Sequence, residues 1–249
     1  MKEDVVVIEV GKSRRGRRAP SRLSLLRKRV AGGRRAQREE FARIIEIAQI
    51  TARKDPKALP ALIKLIGRSS QARVMNKVLR HEQDTETCYY EVRNALFDTT
   101  APITPDGRSL EDLKRMVPAP RPLKLGVDLV FPWPWERGRI IRNLCELRPR
   151  GVRGEWRQDP NHTVILWLPL GVAWVCGGNH SITAGIIHAQ GEVMPEETYD
   201  ISQVYKHVAC DGIEYRRAHD GTRIGLVPDF EMAAIFEIGR LVKKHRVGF

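Results

Sequence analysis

The sequence predicts an α+β protein, and three observations support this prediction. Residues 164–191 contain two apolar runs, a Gly-Gly-Asn-His-Ser segment, and then small and apolar residues at helical spacing. Apolar residues between 39 and 79 also recur with a helical period. An arginine-rich segment, residues 11–38, precedes both regions. We therefore expect three parts: a flexible basic arm (residues 1–38), a helical region with a proline-rich linker (39–122) and a C-terminal α/β domain (123–249).

The positive charge of the chain is concentrated near its N-terminus. The chain contains 43 Lys and Arg residues and 30 Asp and Glu residues, which gives a formal net charge of +13. Residues 11–38 contain twelve basic residues and no acid, so twelve of the thirteen net charges can be assigned to this segment. Glycine, serine and proline among these arginines predict an extended, mobile segment.

A segment of this kind is typical of nucleic-acid-binding arms, because each neutralised phosphate releases condensed counterions. The sequence leaves open whether the nucleic acid is DNA or RNA. A solvated tail and an arm that docks on an acidic protein partner are the alternatives. Residues 23–30 also have a basic amphipathic pattern that suits a membrane surface, although aromatic anchors are missing. The candidate nucleic-acid contacts are Arg14, Arg15, Arg17, Arg18, Arg27, Lys28, Arg29, Arg34 and Arg35.

Local patterns predict further elements on both sides of the central segment. Asp55-Pro56 interrupts the helical periodicity of residues 39–79, and Ser70 is expected to cap a third helix. Residues 98–126 are rich in proline and predict a linker. Residues 213–227 predict a hairpin, and Asp229 is expected to cap the last helix.

The central segment has the pattern of two strands followed by a helix. Val164–Leu168 is apolar and rich in strand formers, and the Pro-Leu-Gly that follows predicts a turn. Residues 172–176 predict a strand that is buried on both faces. Two glycines end this strand, and Ser181 is expected to cap the helix. Such a passage is suited to phosphate binding, because free backbone N–H groups converge at a helix N-terminus. The alternative is a tight turn without a ligand.

This order of strand, GGNHS box, helix and further strand resembles the ParB/sulfiredoxin superfamily over roughly residues 164–212. Gly177, Gly178, Asn179 and His180 match the phosphate-binding box of that family. The resemblance implies a small mixed-sheet domain that holds nucleotide phosphates at residues 177–181. The usual arginine of the box is Ser181 here, which removes a charged phosphate contact. Asn179 stands where sulfiredoxin has its reactive cysteine, so sulfinic acid repair is excluded.

The same resemblance implies roles for individual residues. His180 is expected to donate a hydrogen bond or to act as a general acid or base. Glu146 is expected to act as a base or a metal ligand and to belong to an earlier strand. A nucleoside triphosphate and Mg²⁺ are the implied cofactors. The predicted function is a nucleic-acid-associated nucleotide-binding protein with nuclease or nucleoside triphosphatase activity. The alternative is a non-catalytic nucleic-acid-binding subunit of a larger complex, with a degenerate box.

Two other groups of residues leave alternatives open. Trp133 and Trp135 lie in a proline-rich loop, where they either stack on a base or cover the edge of a core, and the second interpretation is favoured. His180 and His188 could share a helix face, with His162 and His207 nearby in the sequence. A metal site would need them to converge with a carboxylate such as Asp200, which their spacing does not require.

The cysteines and the hydropathy pattern bear on localisation. The four cysteines show no C-x-x-C spacing, which predicts a reducing, cytoplasmic environment. No apolar run is long enough to span a membrane.

Overall fold

The computed structural model describes residues 22–80 and 95–249, and within them it has the predicted α+β class. Gln37–Phe249 form one compact unit, and the chain before Gln37 belongs to a separate unit. The helices are α1 (Arg22–Lys54), α2 (Leu59–Arg80), α3 (Leu110–Leu113), α4 (Arg137–Glu146), α5 (Asn179–Ile187) and α6 (Phe230–Lys244), with 3-10 helices at Pro56–Ala58 and Ser202–Lys206. The strands are β1 (Arg115–Met116), β2 (Leu123–Lys124), β3 (Leu129–Phe131), β4 (Val164–Leu168), β5 (Val172–Val175), β6 (Glu192–Val193), β7 (Glu197–Asp200), β8 (Val208–Cys210), β9 (Glu214–Arg217) and β10 (Arg223–Leu226).

Helix α1 includes part of the segment that was expected to be a flexible arm. It begins at Arg22. This segment is helical because leucine, arginine, alanine and glutamine are good helix formers and outweigh its two glycines. The Nε atom of Arg38 donates to Asp211 Oδ2 (2.8 Å), and Gln37 Nε2 donates to the carbonyl of Gly212 (2.8 Å). Arg38 is therefore part of the folded unit, which corrects its assignment to the arm.

The predicted nucleic-acid contacts fall into three groups. Arg14, Arg15, Arg17 and Arg18 lie outside the described residues. Arg27, Lys28 and Arg29 lie in the part of α1 for which only the backbone is described. Arg34 and Arg35 are exposed on α1.

A five-stranded mixed sheet with the order β1-β7-β4-β5-β3 forms the centre of the fold. Strands β4 and β5 are antiparallel, whereas β3 is parallel to β5 and β7 is parallel to β4. The two strands predicted in residues 164–176 are therefore confirmed, and β5 is buried along its whole length. The order β10-β9-β8 forms a second sheet, in which β9 and β10 are the predicted hairpin, and β2 pairs with β6.

Helices cover both faces of the central sheet. Successive side chains of a strand point to opposite faces, so the apolar strand β5 needs a packing partner on each side. Val172 and Trp174 of β5 pack in a core with residues of α2 and α6. Ala173 and Val175, on the other face, pack with Ile182 and further residues of α5. The strand is thereby enclosed on both sides, which explains its uninterrupted apolar sequence.

The helical region and the sheet share one core, so no boundary between compact units lies at residues 122 and 123. Leu59 and Val74 of α2 belong to the same buried cluster as Leu129 and Phe131 of β3. Neither part can bury its apolar face without the other, which is the reason that the expected linker does not separate two domains.

Two further expectations about the helices need correction. Ser70 does not begin a third helix, because α2 continues from Leu59 to Arg80. The buried Ser70 hydroxyl donates instead to Asp229 Oδ1 (2.8 Å), and the Asp229 side chain caps α6 as predicted. The segment with Glu146 forms helix α4 rather than a strand, since Ile140 and Leu144 face the core at helical spacing. None of the described helices is long and apolar enough to cross a membrane.

Candidate functional site

A cavity of about 350 Å³ lies at the N-terminal end of α5. All five residues of the predicted phosphate-binding box take part in its wall. The wall also includes Trp133 and Trp135 from the loop between β3 and α4, called here the tryptophan loop. Further residues come from α4 and from the segment between α4 and β4. The lining residues are Trp133, Trp135, Arg139, Asn143, Arg153, Asp159, Asn161, Cys176, Gly177, Gly178, Asn179, His180 and Ser181.

The two glycines of the box are required by the close approach of the chain before β4. Helix α5 begins at Asn179, and its N-cap residue is Gly178, which corrects the expectation that Ser181 caps the helix. Gly178 has φ of 76°, and a Cβ atom there would overlap the ring of His162. A Cβ atom on Gly177 would lie 2.5 Å from the carbonyl oxygen of Asn161. The sequence therefore carries glycine at both positions for conformational and steric reasons.

Asn179 fastens the tryptophan loop to the helix N-terminus. Its side chain is 2% exposed, and its Oδ1 atom accepts a hydrogen bond from the backbone N–H of Trp133 (2.8 Å). The indole Nε1–H of Trp133 donates to the carbonyl of Val175 (3.0 Å), and the rings of Trp133 and Trp135 lie 5.1 Å apart. Both tryptophans are half-buried and line the cavity. Trp133 also packs against the core, whereas the ring of Trp135 lies 4.4 Å from that of His180.

His180 is buried and accepts two backbone hydrogen bonds from the same loop. Its Nε2 atom lies 3.3 Å from the backbone nitrogen of Trp135 and 3.1 Å from that of Glu136, and both N–H groups point to it. An imidazole nitrogen that accepts hydrogen bonds carries no proton, so the neutral ring has its proton on Nδ1. Proton uptake at Nε2 would break both hydrogen bonds. Through Nε2, His180 therefore holds the backbone of Trp135 and Glu136 in place, and its role as a hydrogen-bond donor or general acid or base stays a prediction.

Ser181 is hydrogen-bonded to His162, which the sequence named only as a neighbour in a possible metal site. The His162 Nε2 and Ser181 Oγ atoms are 2.6 Å apart, and the backbone N–H of Asp159 donates to His162 Nδ1 (2.8 Å). Because Nδ1 accepts, the neutral ring donates from Nε2 to the Ser181 oxygen, whose hydroxyl donates to the Gly178 carbonyl (3.0 Å). Burial lowers the pKa of His162, although the nearby Asp159 raises it.

The network around Ser181 resembles a Ser–His–Asp arrangement, with Asp159 Oδ1 at 3.1 Å from His162 Nδ1. In this tautomer, however, the histidine has no free nitrogen to accept the serine proton. The network fixes the loop before β4 against α5.

Arginines of α4 and of the loop that follows it bring positive charge to the cavity wall. Arg139 and Arg153 line the cavity, and both side chains are exposed. Arg153 Nη1 donates to Asn143 Oδ1 (3.1 Å), and Arg139 Nε lies 2.6 Å from Glu136 Oε2. The first backbone N–H groups of α5 have no acceptor within the helix and form its positive end. The cavity is therefore suited to an anion.

In the sequence this charge is visible only as a basic stretch, residues 148–157. Arg153 from that stretch reaches the cavity. Nothing local marks Arg139, Asn143 or Arg153 as neighbours of the GGNHS box, since each lies at least 24 positions before it in the chain.

Glu146 lies away from the box. It is the last residue of α4 and is not part of the cavity wall, and its carbonyl accepts from the backbone N–H of Arg153 (3.2 Å). His188 hydrogen-bonds through Nε2 with the carbonyl of Leu144 (3.0 Å). Within residues 22–80 and 95–249, no three His, Cys, Asp or Glu side chains are grouped to hold a metal ion.

Comparison with protein families gives a match over most of the chain. The model of a family of unknown function, DUF6710, matches residues 27–249. The chain belongs to the DUF6710 family. Comparison with the curated proteins and with the solved structures gave no match. The DUF6710 match contains every residue of the cavity wall, whereas Arg14, Arg15, Arg17 and Arg18 precede it.

Proposed function

We propose that this protein is a nucleic-acid-associated nucleotide-binding protein and that its cavity holds a nucleotide phosphate. One observation carries the proposal: the N-terminus of α5, Arg139 and Arg153 line the same cavity as Trp133 and Trp135. Helix N-termini and guanidinium groups are the donors that phosphate prefers, and tryptophan rings stack on bases. Both halves of a nucleotide therefore have chemically suited neighbours at one place.

The order of elements supports a ParB/sulfiredoxin-like site. The antiparallel pair β4–β5 leads through the GGNHS box into α5, and β7 then pairs in parallel with β4. Ser181 replaces the arginine that is usual in the family's box. Arg139 and Arg153 reach the same cavity from α4 and its following loop, so they supply the positive charge that the box itself lacks.

A non-catalytic role is the second candidate, and the hydrogen bonds of the box favour it. The side chains of Asn179, His180 and Ser181 all hold neighbouring segments in place. For the enzymatic role, Asp159 is the carboxylate that lines the cavity in the described part of the chain. One carboxylate together with substrate phosphates is a common ligand set of Mg²⁺. Nuclease or triphosphatase activity would then rest on Asp159 rather than on Glu146.

Calorimetry with the full chain tests the cavity assignment. Nucleoside triphosphates should bind, and the corresponding nucleosides should bind much more weakly because they lack the phosphate. The substitution Arg153→Gln should weaken triphosphate binding by about ten- to 150-fold, since a hydrogen bond to a charged group contributes about 1.5–3 kcal/mol. Arg223→Gln is the matched control, because Arg223 is exposed on β10 and does not line the cavity.

The outcomes separate the two candidates. Equal binding of nucleosides and triphosphates, or an unchanged affinity in the Arg153 variant, would refute phosphate binding in this cavity. Release of product from a triphosphate or an oligonucleotide with Mg²⁺, abolished in Asp159→Asn, would establish the enzyme. Binding without turnover would establish the non-catalytic role.

A further inference from the structure

A second basic region lies in the folded unit, far from the N-terminal arm in the sequence. Residues 137–157 contain seven arginines and two glutamates, a net charge of +5. Arg139 and Arg153 of this region line the cavity. The four others with exposed side chains, called here the α4 arginine surface, are Arg142, Arg148, Arg150 and Arg157.

The α4 arginine surface has no carboxylate partner in the part of the chain that the structure describes. Other arginines of the folded unit have carboxylate partners, such as Arg38 with Asp211 and Arg121 with Asp128. Among the described residues, no carboxylate lies within ion-pair distance of the four arginines of the α4 arginine surface. An ordinary solvated face mixes both signs of charge, so this arrangement favours a polyanionic partner.

Local structure brings the α4 arginine surface next to the cavity. Helix α4 carries Arg142, and the chain then turns in a loop that a bridge between Leu147 and Gly154 closes. Arg148 Nε donates to the carbonyl of Cys145 (2.8 Å), which keeps that side chain at the C-terminal end of α4. At the same loop, Arg153 reaches back to Asn143 in the cavity wall. Helix α4, whose ten residues extend over about 15 Å, thus carries Arg139 in the cavity wall and the exposed Arg142 one turn further along.

The loop also presents an apolar side chain between its arginines. Val152 is 94% exposed, with Arg150 and Arg153 on either side in the sequence. Exposed apolar side chains among cations suit the sugar and base surfaces of a nucleic acid that has no paired strand to cover them.

We propose that the α4 arginine surface binds the backbone of a single-stranded nucleic acid, one nucleotide of which enters the cavity. The surface contacts the phosphates on one side of that nucleotide, and Trp133 and Trp135 receive its unpaired base. A duplex would not offer the base to these rings without unstacking. The inference rests on the proposed function for the ligand of the cavity, but the contribution of the arginines is measurable by itself. It also places a nucleic-acid contact outside the N-terminal arm.

The test compares three variants of the full chain in binding to a fluorescent single-stranded oligonucleotide at several salt concentrations. The first, R142Q/R150Q/R157Q, removes three arginines that do not line the cavity. It should bind less tightly, and its slope of log affinity against log salt should fall by about 0.7 for each phosphate that is no longer neutralised, so by about 2 for three phosphates. Replacement of the same residues by lysine should keep the parent slope. The control, R53Q/R223Q/K244Q, removes the same charge from α1, β10 and α6 and should also keep the parent slope.

The results distinguish this inference from the cavity assignment. An unchanged slope in R142Q/R150Q/R157Q, or an equal decrease in the control, would overturn the inference. Tighter binding of duplex than of single strand by the parent chain would also overturn it. So would weaker binding of R142Q/R150Q/R157Q to anionic phospholipid vesicles together with unchanged binding to the oligonucleotide. Mononucleotide binding should persist in R142Q/R150Q/R157Q. If the parent chain binds no mononucleotide but the salt slope still falls in this variant, the nucleotide site in the cavity is refuted. Nucleic-acid binding by the α4 arginine surface is then still supported.

Discussion

Replacement of Gly178 by alanine tests how the box and the chain before β4 depend on each other. Gly178 is the N-cap residue of α5 with φ of 76°, a left-handed conformation that costs a residue with a Cβ atom about 1–2 kcal/mol. The added methyl group would also overlap the ring of His162, and overpacking of this kind costs about 1–3 kcal/mol. The two effects together predict a decrease of about 2–5 kcal/mol in the free energy of unfolding.

A second glycine of the chain isolates the steric part of this decrease. Gly154 has φ of 73°, almost the same as Gly178, but a Cβ atom there would meet no other atom within 4 Å. Gly154→Ala should therefore cost only the conformational part, about 1–2 kcal/mol. The difference between the two variants measures the steric conflict with His162.

Urea unfolding followed by circular dichroism provides the assay, with equal m-values required for the comparison. Gly178→Ala should also weaken triphosphate binding, because displacement of His162 moves Ser181 and the first turn of α5. An equal decrease in stability in the Gly178 and Gly154 variants would refute the reasoning, since it would mean that His162 does not restrict the box.

Two other residues give predictions that unfolding experiments can check. His180→Ala should lower the free energy of unfolding by about 1–3 kcal/mol, because the N–H groups of Trp135 and Glu136 lose their acceptor. His180→Gln should recover part of this loss. An unchanged melting temperature in His180→Ala would contradict the prediction. Burial raises the pKa of Asp128, but hydrogen bonds from Arg121 and other donors lower it further, to about 2. Its ionised form should therefore contribute about 2 kcal/mol above pH 4 that disappears as the pH falls from about 4 to 2, and Asp128→Asn should flatten the stability curve over that range.

Patterns that involve neighbouring residues in the chain were sufficient to predict several elements. Strands β4 and β5, the β9–β10 hairpin and the Asp229 cap of α6 all follow from apolar runs, turn residues and capping residues within a few positions. The expectation that Glu146 belongs to a strand was wrong, because the arginines of helix α4 interrupt an apolar run whose spacing is helical. Ile140 and Leu144 are four residues apart on one face, and this period was the signal that could have identified the helix.

Residues 177–181, which the sequence predicts to bind phosphate, all line the cavity, whereas most other residues of its wall were not predicted. The passage from glycines into a helix identified residues 177–181. His162 and Arg153 were not expected to meet the box, because a turn pattern contains no information about which distant segments pack on it. The role of His180 depends on the two N–H groups that reach its ring, and these come from more than forty residues away.

The sequence by itself determined the α+β class, the two central strands, the helix after the GGNHS box and the concentration of charge near the N-terminus. Each of these depends on the periodicity or composition of a short stretch, and the backbone responds to such patterns locally. Only the tertiary structure decided that α2 shares its core with the sheet, that Arg153 and Arg139 meet the N-terminus of α5, and that the box side chains hold the surrounding loops. These arrangements depend on how amphipathic faces pack together, and a side chain's partners are set by that packing rather than by its neighbours in the chain.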